Sequence, residues 1–418
     1  MAAKWSYYGS VAWFTAVFFG IVGVKLLLSL LPTRRWPDPN PSMRLGVIVT
    51  VYNEDPALLR RCIDSILTQT YQPTRILIVD DCSTNLDAYD IARVYATFDP
   101  RIRVVRQPVN LGKREGLAVG FHTMDDVDVY LCLDSDSFLE PNAIYEGMRP
   151  FRSKRVTAVT GLVLPLNYDK SILTRFQDIL YVNSFLNDRT ATSRFQSVLC
   201  VCGAIAFYRR DVMVKYLDDF LTQTFLGKPA LNGEDRRLTN YCLREGRVVF
   251  VESAIAHTAV PEKFNHFIRQ QARWGRSFFR ESLWLLTHRS PARAAWWFTF
   301  IDVAQWAVYS TFLLVVAVVH PITTGGGLLI GPYLMFIGLM SAARAIRYFD
   351  MRRFDQSIWS RLTTAAVAPL YGYFHLAVMF PVRLYSFATM RVGKWGSRQQ
   401  VEVSLTPPPE TKPQQAAA

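Results

Sequence analysis

Leu45-Gly46-Val47-Ile48-Val49-Thr50-Val51-Tyr52-Asn53-Glu54 opens with seven residues dominated by β-branched apolar side chains and closes on a polar cluster. Such a run suits a strand buried on both faces. A second run, residues 75–79, leads into Asp80-Asp81-Cys82-Ser83, and residues 56–69 between the two have apolar positions at helical spacing. A third, residues 127–133, leads into Asp134-Ser135-Asp136. Strand and helix in alternation predict an α/β domain over residues 44–262, with a mostly parallel sheet covered on both faces. Ligands of open parallel sheets collect at the carboxyl ends of the strands, where all three polar clusters fall.

On either side of this domain the pattern changes. Residues 5–31 are almost wholly apolar apart from Lys25, long enough for a membrane anchor within residues 1–35. A signal peptide is the alternative, but no small-residue cleavage site precedes Pro32, Arg34 and Arg35, and those arginines put the following residues on the cytosolic side. Residues 263–290 are rich in Arg and aromatics, as in an amphipathic helix at a membrane surface. Residues 298–319 and 328–346 read as spans joined by a Gly-rich turn, within a helical bundle over residues 296–390. Pro369 and Pro381 divide residues 363–390, and a single crossing would put Arg391, Lys394 and Arg398 outside. The positive-inside bias therefore predicts a broken or re-entrant pair there. Residues 391–402 form a basic loop, and residues 403–418, rich in Pro, Gln and Ala, read as disordered.

Composition agrees with two compartments in one chain. Half of the 418 residues are apolar, and 47 Lys and Arg against 34 Asp and Glu give a net charge of +13. The basic flanks of membrane helices account for that excess, and no Lys/Arg run interleaves with stacking aromatics as a nucleic-acid surface requires. Cys62, Cys82, Cys132, Cys200, Cys202 and Cys242 are scattered without zinc-ligand spacing, so they read as reduced core thiols.

The polar clusters carry the chemistry. Tyr52, Asn53, Glu54 and Asp81 offer hydrogen-bond acceptors for a planar base and ribose hydroxyls, although Asn53 or Asp81 alone could be a helix cap. Asp134 and Asp136, two apart at a strand end, can converge on one hard cation, Mg2+ or Mn2+, with water and phosphate oxygens completing its shell. An Asp-x-Asp motif elsewhere is often only a polar turn. Glu234 and Asp235 form a second acidic pair, and a carboxylate over an attacking hydroxyl is what a general base requires. That role is assigned to Asp235; a plain helix start is the alternative. Gln270-Gln271-Ala272-Arg273-Trp274 supplies a guanidinium for a diphosphate and an indole face for a sugar ring.

In order, Asp81, Asp134-Ser135-Asp136, Gly233-Glu234-Asp235 and Gln270-Gln271-Ala272-Arg273-Trp274 resemble the motifs of processive family-2 glycosyltransferases, the family of cellulose, chitin and hyaluronan synthases. Gln223-Thr224-Phe225-Leu226-Gly227, Ser277-Phe278-Phe279-Arg280-Glu281-Ser282 and Trp395-Gly396-Ser397-Arg398 resemble hyaluronan synthase segments most, with rhizobial chitin-oligosaccharide synthases sharing much of this. The resemblance implies a GT-A type catalytic domain and an inverting transfer from UDP-sugars, with Mg2+ or Mn2+. It implies UDP-N-acetylglucosamine and UDP-glucuronate as donors, a nascent polysaccharide as acceptor, membrane lipids as surroundings and no nucleic acid. By residue, it puts Tyr52, Glu54 and Asp81 around uridine, Lys113 on the donor, Asp134 and Asp136 toward metal and diphosphate, and Asp235 as base beside Glu234. Arg273 then meets the diphosphate, Gln270, Cys202 and Trp274 the acceptor, and Trp395 and Arg398 close over the donor. One departure is the single apolar segment before the catalytic domain, where streptococcal synthases have two. A synthase using UDP-N-acetylglucosamine alone is the nearest rival, and a UDP-sugar-sensing transporter without chemistry is the reading from another class.

Overall fold

The computed structural model describes residues 2–315, 319–324, 331–351 and 356–393. The expected strands form, followed by others that the sequence had not separated. They are β1 (Leu45–Val51), β2 (Arg75–Asp80), β3 (Ile102–Arg106), β4 (Val129–Asp134), β5 (Ser137–Leu139), β6 (Val156–Pro165) and β7 (Ala206–Arg209), then the small hairpin β8 (Thr224–Phe225) and β9 (Lys228–Pro229), and β10 (Arg247–Thr258). All but the hairpin join one sheet in the order β3-β2-β1-β4-β7-β6-β10-β5. Its first four strands are parallel, β7 runs antiparallel between β4 and β6, and β6 pairs in parallel with β10. Every residue of β6 is buried, as expected of a strand covered on both faces. The β6–β10 pairing slips between Val251 and Ile255, leaving Glu252 outside the ladder.

Local chemistry sets the helix starts. Asp55 accepts hydrogen bonds from the Ala57 and Leu58 amides, Pro56 occupies the first turn, and Leu58, Leu59, Cys62, Ile63 and Ile66 form the buried face of the helix Pro56–Leu67.

The helix Ala2–Leu30 carries Lys25, whose Nζ lies 2.6 Å from Asp302 Oδ1 on the helix Ala294–Leu314. The amphipathic stretch is one helix, Phe264–His288. Its Glu281 is 2 % exposed and accepts from Arg237 Nε (2.8 Å) and Gln223 Nε2 (2.6 Å), which fastens it to the helix Glu234–Glu245 and to the start of the β8–β9 hairpin.

The expected broken pair over residues 363–390 is instead one continuous helix, Ile358–Ala388. A π-turn at His375–Met379 shifts the hydrogen-bond register just before Pro381, so that proline enters as if at a first turn and breaks nothing. Among the described residues this helix alone is long and apolar enough to cross a membrane by length and composition. Yet it touches catalytic-domain or interfacial groups along its length: Thr364 receives a bond from Arg175 (3.1 Å), Phe374 packs on Phe176 and Phe267, and Thr389 receives one from Arg276 (3.0 Å). The chain on either side of it also rests on the catalytic domain, with Arg347 on Glu252 (3.3 Å) before it and Arg391 on the Leu226 carbonyl (3.2 Å) after it. The basic residue Arg391 thus stays beside the catalytic domain without any break in the helix.

Of the two other expected spans, the helices Ala294–Leu314 and Gly331–Arg344 cover parts, and the Gly-rich turn between them lies outside the described residues. Trp395, Arg398 and the tail lie outside as well.

Candidate active site

Parallel pairing sets the polar clusters side by side, since Thr50 is opposite Asp134 and Val51 opposite Asp80. Asn53, in the left-handed region (φ 45°), accepts from the Thr84 amide (2.9 Å), the Thr84 hydroxyl (3.0 Å) and the Asn85 amide (3.2 Å), tying the turn after β1 to the turn after β2. Asp81 is 4 % exposed and takes the Leu111 and Gly112 amides at 2.8 Å each. Burial pushes its carboxyl up, against those two bonds. Asp81 therefore fixes the loop that presents Lys113, while Tyr52 stays half-buried at the same edge.

Lys113 begins the helix Lys113–Thr123 and holds the site together electrostatically. Its ammonium lies 2.6 Å from Asp134 Oδ1 and 3.4 Å from Glu234 Oε1. Burial disfavours the charge, but Asp134, Asp235 and Glu234 outweigh it and hold Lys113 well above the ordinary lysine range. Glu234 is buried too, yet Lys113 and Arg273 keep its carboxyl low.

Gly203 closes the arrangement. Its N–H donates to Asp235 Oδ2 (3.1 Å) and its carbonyl accepts the Asp134 backbone amide (3.1 Å), so one residue ties the Asp235 carboxylate to the backbone of Asp134. A Cβ here would lie 2.7 Å from Lys113 Nζ and 3.0 Å from Asp235 Oδ1. Gly233, at φ 89°, turns the chain so that Glu234 and Asp235 open their helix facing this peptide. Burial pushes the Asp235 carboxyl up to about 7, with Lys113 opposing and Glu234 and Asp134 adding to the rise. A carboxyl tuned to neutral pH suits a proton acceptor.

Behind the cleft, Ser135 donates to the buried Glu54 carboxylate at 2.7 Å, and Asp136 Oδ1 accepts from Ser137 and Thr258 hydroxyls, both at 3.3 Å. Among the described residues no three His, Cys, Asp or Glu side chains converge as a metal cage. The donor set still fits a hard divalent cation of the kind that takes one or two carboxylates and completes its shell with phosphate and water. Asp134 already faces a positive charge, with its side chain 34 % exposed.

Trp274 is 41 % exposed, and its ring centre lies 6.4 Å from that of Tyr181. Burial, then Cys202, Asp136 and Asp134, push the Tyr181 phenol well up. The Cys202 amide donates to Thr160 Oγ1 (3.2 Å), and burial pushes its thiol up to about 12, so it acts as a neutral wall. Arg273 faces Glu234, and Gln270 lies half-buried one turn before Trp274. Sequence reading missed Tyr181 and the bridging peptide of Gly203, because a tyrosine in an apolar helix and a glycine in a loop carry no distinguishing pattern.

Residues 46–217 match the family model described as Glycosyl transferase family 2. Over 388 residues the chain is 34% identical to a hyaluronan synthase of Streptococcus pyogenes, covering 91% of this chain and 89% of that protein. The chain belongs to the family-2 glycosyltransferases. This glycosyltransferase is also 39% identical over 248 residues to an N-acetylglucosaminyltransferase of Rhizobium leguminosarum bv. viciae, covering 59% of the chain and 58% of that protein. Its fold is that of a mannosyltransferase from Pyrobaculum calidifontis solved in complex with GDP-Man and Mn2+ (TM-score 0.58, 16% identity, 91% of this chain and 98% of the other). The α/β domain expected from the strand pattern is thereby shown, with the GT-A-like fold that the family resemblance implied.

Proposed function

We propose that this glycosyltransferase polymerises UDP-N-acetylglucosamine and UDP-glucuronate into hyaluronan and exports the polymer across the cell membrane in which it sits, with its catalytic domain on the cytosolic side. The observation that carries this reading is coverage. Similarity to the streptococcal hyaluronan synthase extends over 91% of the chain, through the interfacial and apolar helices, whereas similarity to the rhizobial N-acetylglucosaminyltransferase spans 59%. The apolar helices Ala2–Leu30, Ala294–Leu314, Gly331–Arg344 and Ile358–Ala388 are the segments we assign to the membrane.

In this reading Asp235 takes the proton of the acceptor hydroxyl. The acceptor oxygen bonds to the anomeric carbon as the bond to UDP breaks, so configuration inverts without a covalent sugar-enzyme intermediate. Lys113 and Arg273 balance the charge left on the diphosphate, and Tyr52 and Asp81 border the nucleoside. Tyr181, Trp274, Gln270 and Cys202 line the acceptor side. Asp134 and Asp136 would hold Mg2+ or Mn2+, which supplies Lewis-acid stabilisation of the leaving group.

The test is synthesis by the purified full chain in lipid, with each UDP-sugar singly and then both. Hyaluronidase-sensitive polymer made only from the pair is expected. Chitinase-sensitive product from UDP-N-acetylglucosamine alone would move the enzyme to the chitin branch.

A further inference from the structure

The family resemblance puts Glu54 near uridine, but its surroundings point elsewhere. Glu54 is 2 % exposed. Its Oε1 accepts the Asp55 amide at 3.0 Å, and its Oε2 accepts the hydroxyl of Ser135 at 2.7 Å. Ser135 is 7 % exposed and is the residue between Asp134 and Asp136. Its backbone therefore sets the angle between the two carboxylates, and its side chain is tied down from behind. Thr258 makes a similar tie to Asp136 from the far side, through Oδ1 at 3.3 Å.

We propose that Glu54 is a positioning residue: through Ser135 it holds the Asp134-Ser135-Asp136 turn in the geometry that takes a divalent cation, rather than touching nucleotide or cation itself. A carboxylate in such an outer position typically changes metal affinity by roughly 10- to 100-fold when removed. The inference rests on the metal reading of Asp134 and Asp136 given above.

The experiment is Mn2+ binding to the purified full chain, followed by electron paramagnetic resonance at saturating UDP, beside UDP binding in EDTA. E54A and S135A should each weaken Mn2+ at least about 10-fold. The double variant E54A/S135A should be no worse than E54A alone, because the Ser135–Glu54 bond that S135A removes is already absent in it. E54Q should restore binding, since its amide can donate to Ser135 Oγ once the hydroxyl rotates. UDP binding in EDTA should be unchanged in every variant. A loss of UDP affinity in EDTA with E54A but not S135A would make Glu54 a nucleotide contact and overturn the proposal. So would additive losses, or an E54Q as impaired as E54A beside a normal S135A, which would make Glu54 a cation ligand. If E54A does not fold, S135A and E54Q carry the same decision. Wild-type protein that binds UDP but no Mn2+ would overturn the metal reading and this inference together, whereas wild-type Mn2+ binding left intact by S135A overturns the inference alone.

Discussion

Gly203 has no side chain to offer, yet the site depends on it more directly than on several charged residues. A Cβ there would meet Lys113 Nζ at 2.7 Å and Asp235 Oδ1 at 3.0 Å, so Gly203→Ala should push the lysine aside and shift Asp235, the proposed base. A displacement of about 1 Å costs on the order of 100-fold in rate, and kcat of G203A should fall by about that much, with UDP affinity lowered as well because Lys113 moves. Equal activity would mean the peptide bridge is incidental. Asp235 gives a prediction with a sign. Its folded carboxyl titrates at about 7, above the unfolded value of about 3.9. The stability this group supplies is therefore complete below about pH 4 and is lost as pH rises through 7. Asp235→Asn removes that loss, so the melting temperature of D235N relative to wild type should climb between pH 4 and 8. Transfer should vanish in D235N with UDP binding retained, and wild-type kcat/KM should rise with pH through about 7 as the base form appears. A melting difference independent of pH would show that the carboxyl is not perturbed.

At the scale of elements, the helix Phe264–His288 is the joint between the catalytic domain and the apolar helices. Its Glu281 neutralises the buried Arg237, and cutting it out leaves that guanidinium only the longer contact with Asp219 at 3.6 Å. Glu281→Ala should destabilise the protein by about 3–5 kcal/mol, read as a lowered unfolding midpoint in detergent, even though Glu281 touches no expected substrate position. A shift below about 1 kcal/mol would mean Arg237 finds water instead. The sequence told the elements apart where one signal dominated. The β-branched run before Tyr52 and the apolar runs before Asp80 and Asp134 could be little else but buried strands, and their polar ends located Asp81, Asp134 and Asp136 on one edge. It misled over residues 363–390, because two prolines look like two breaks when the π-turn that accommodates the second is invisible to pattern. Tyr181 and the Glu54 to Ser135 bond were hidden for another reason. Such contacts join residues far apart along the chain, and spacing rules see only neighbours.

Across the whole molecule, Lys25 and Asp302 join the first helix to one placed 277 residues later. Each charge lies in an otherwise apolar helix, where an unpaired ion is costly. K25A and D302A should each lower thermal stability in lipid nanodiscs, and the double variant should recover part of the loss, with a coupling of about 0.5–3 kcal/mol. Simple additivity would show that the two charges are solvated separately. The contact of Glu252 with Arg347 has a consequence for how the protein is made. Glu252 leaves the β6–β10 ladder at a bulge, and its partner follows 95 residues later, after two further apolar helices. At about 5–20 residues per second of synthesis, Arg347 is delivered roughly 5–20 s after the bulge that carries Glu252 has been made. A piece of the catalytic domain's surface is thus set only after apolar helices that follow it have been synthesised.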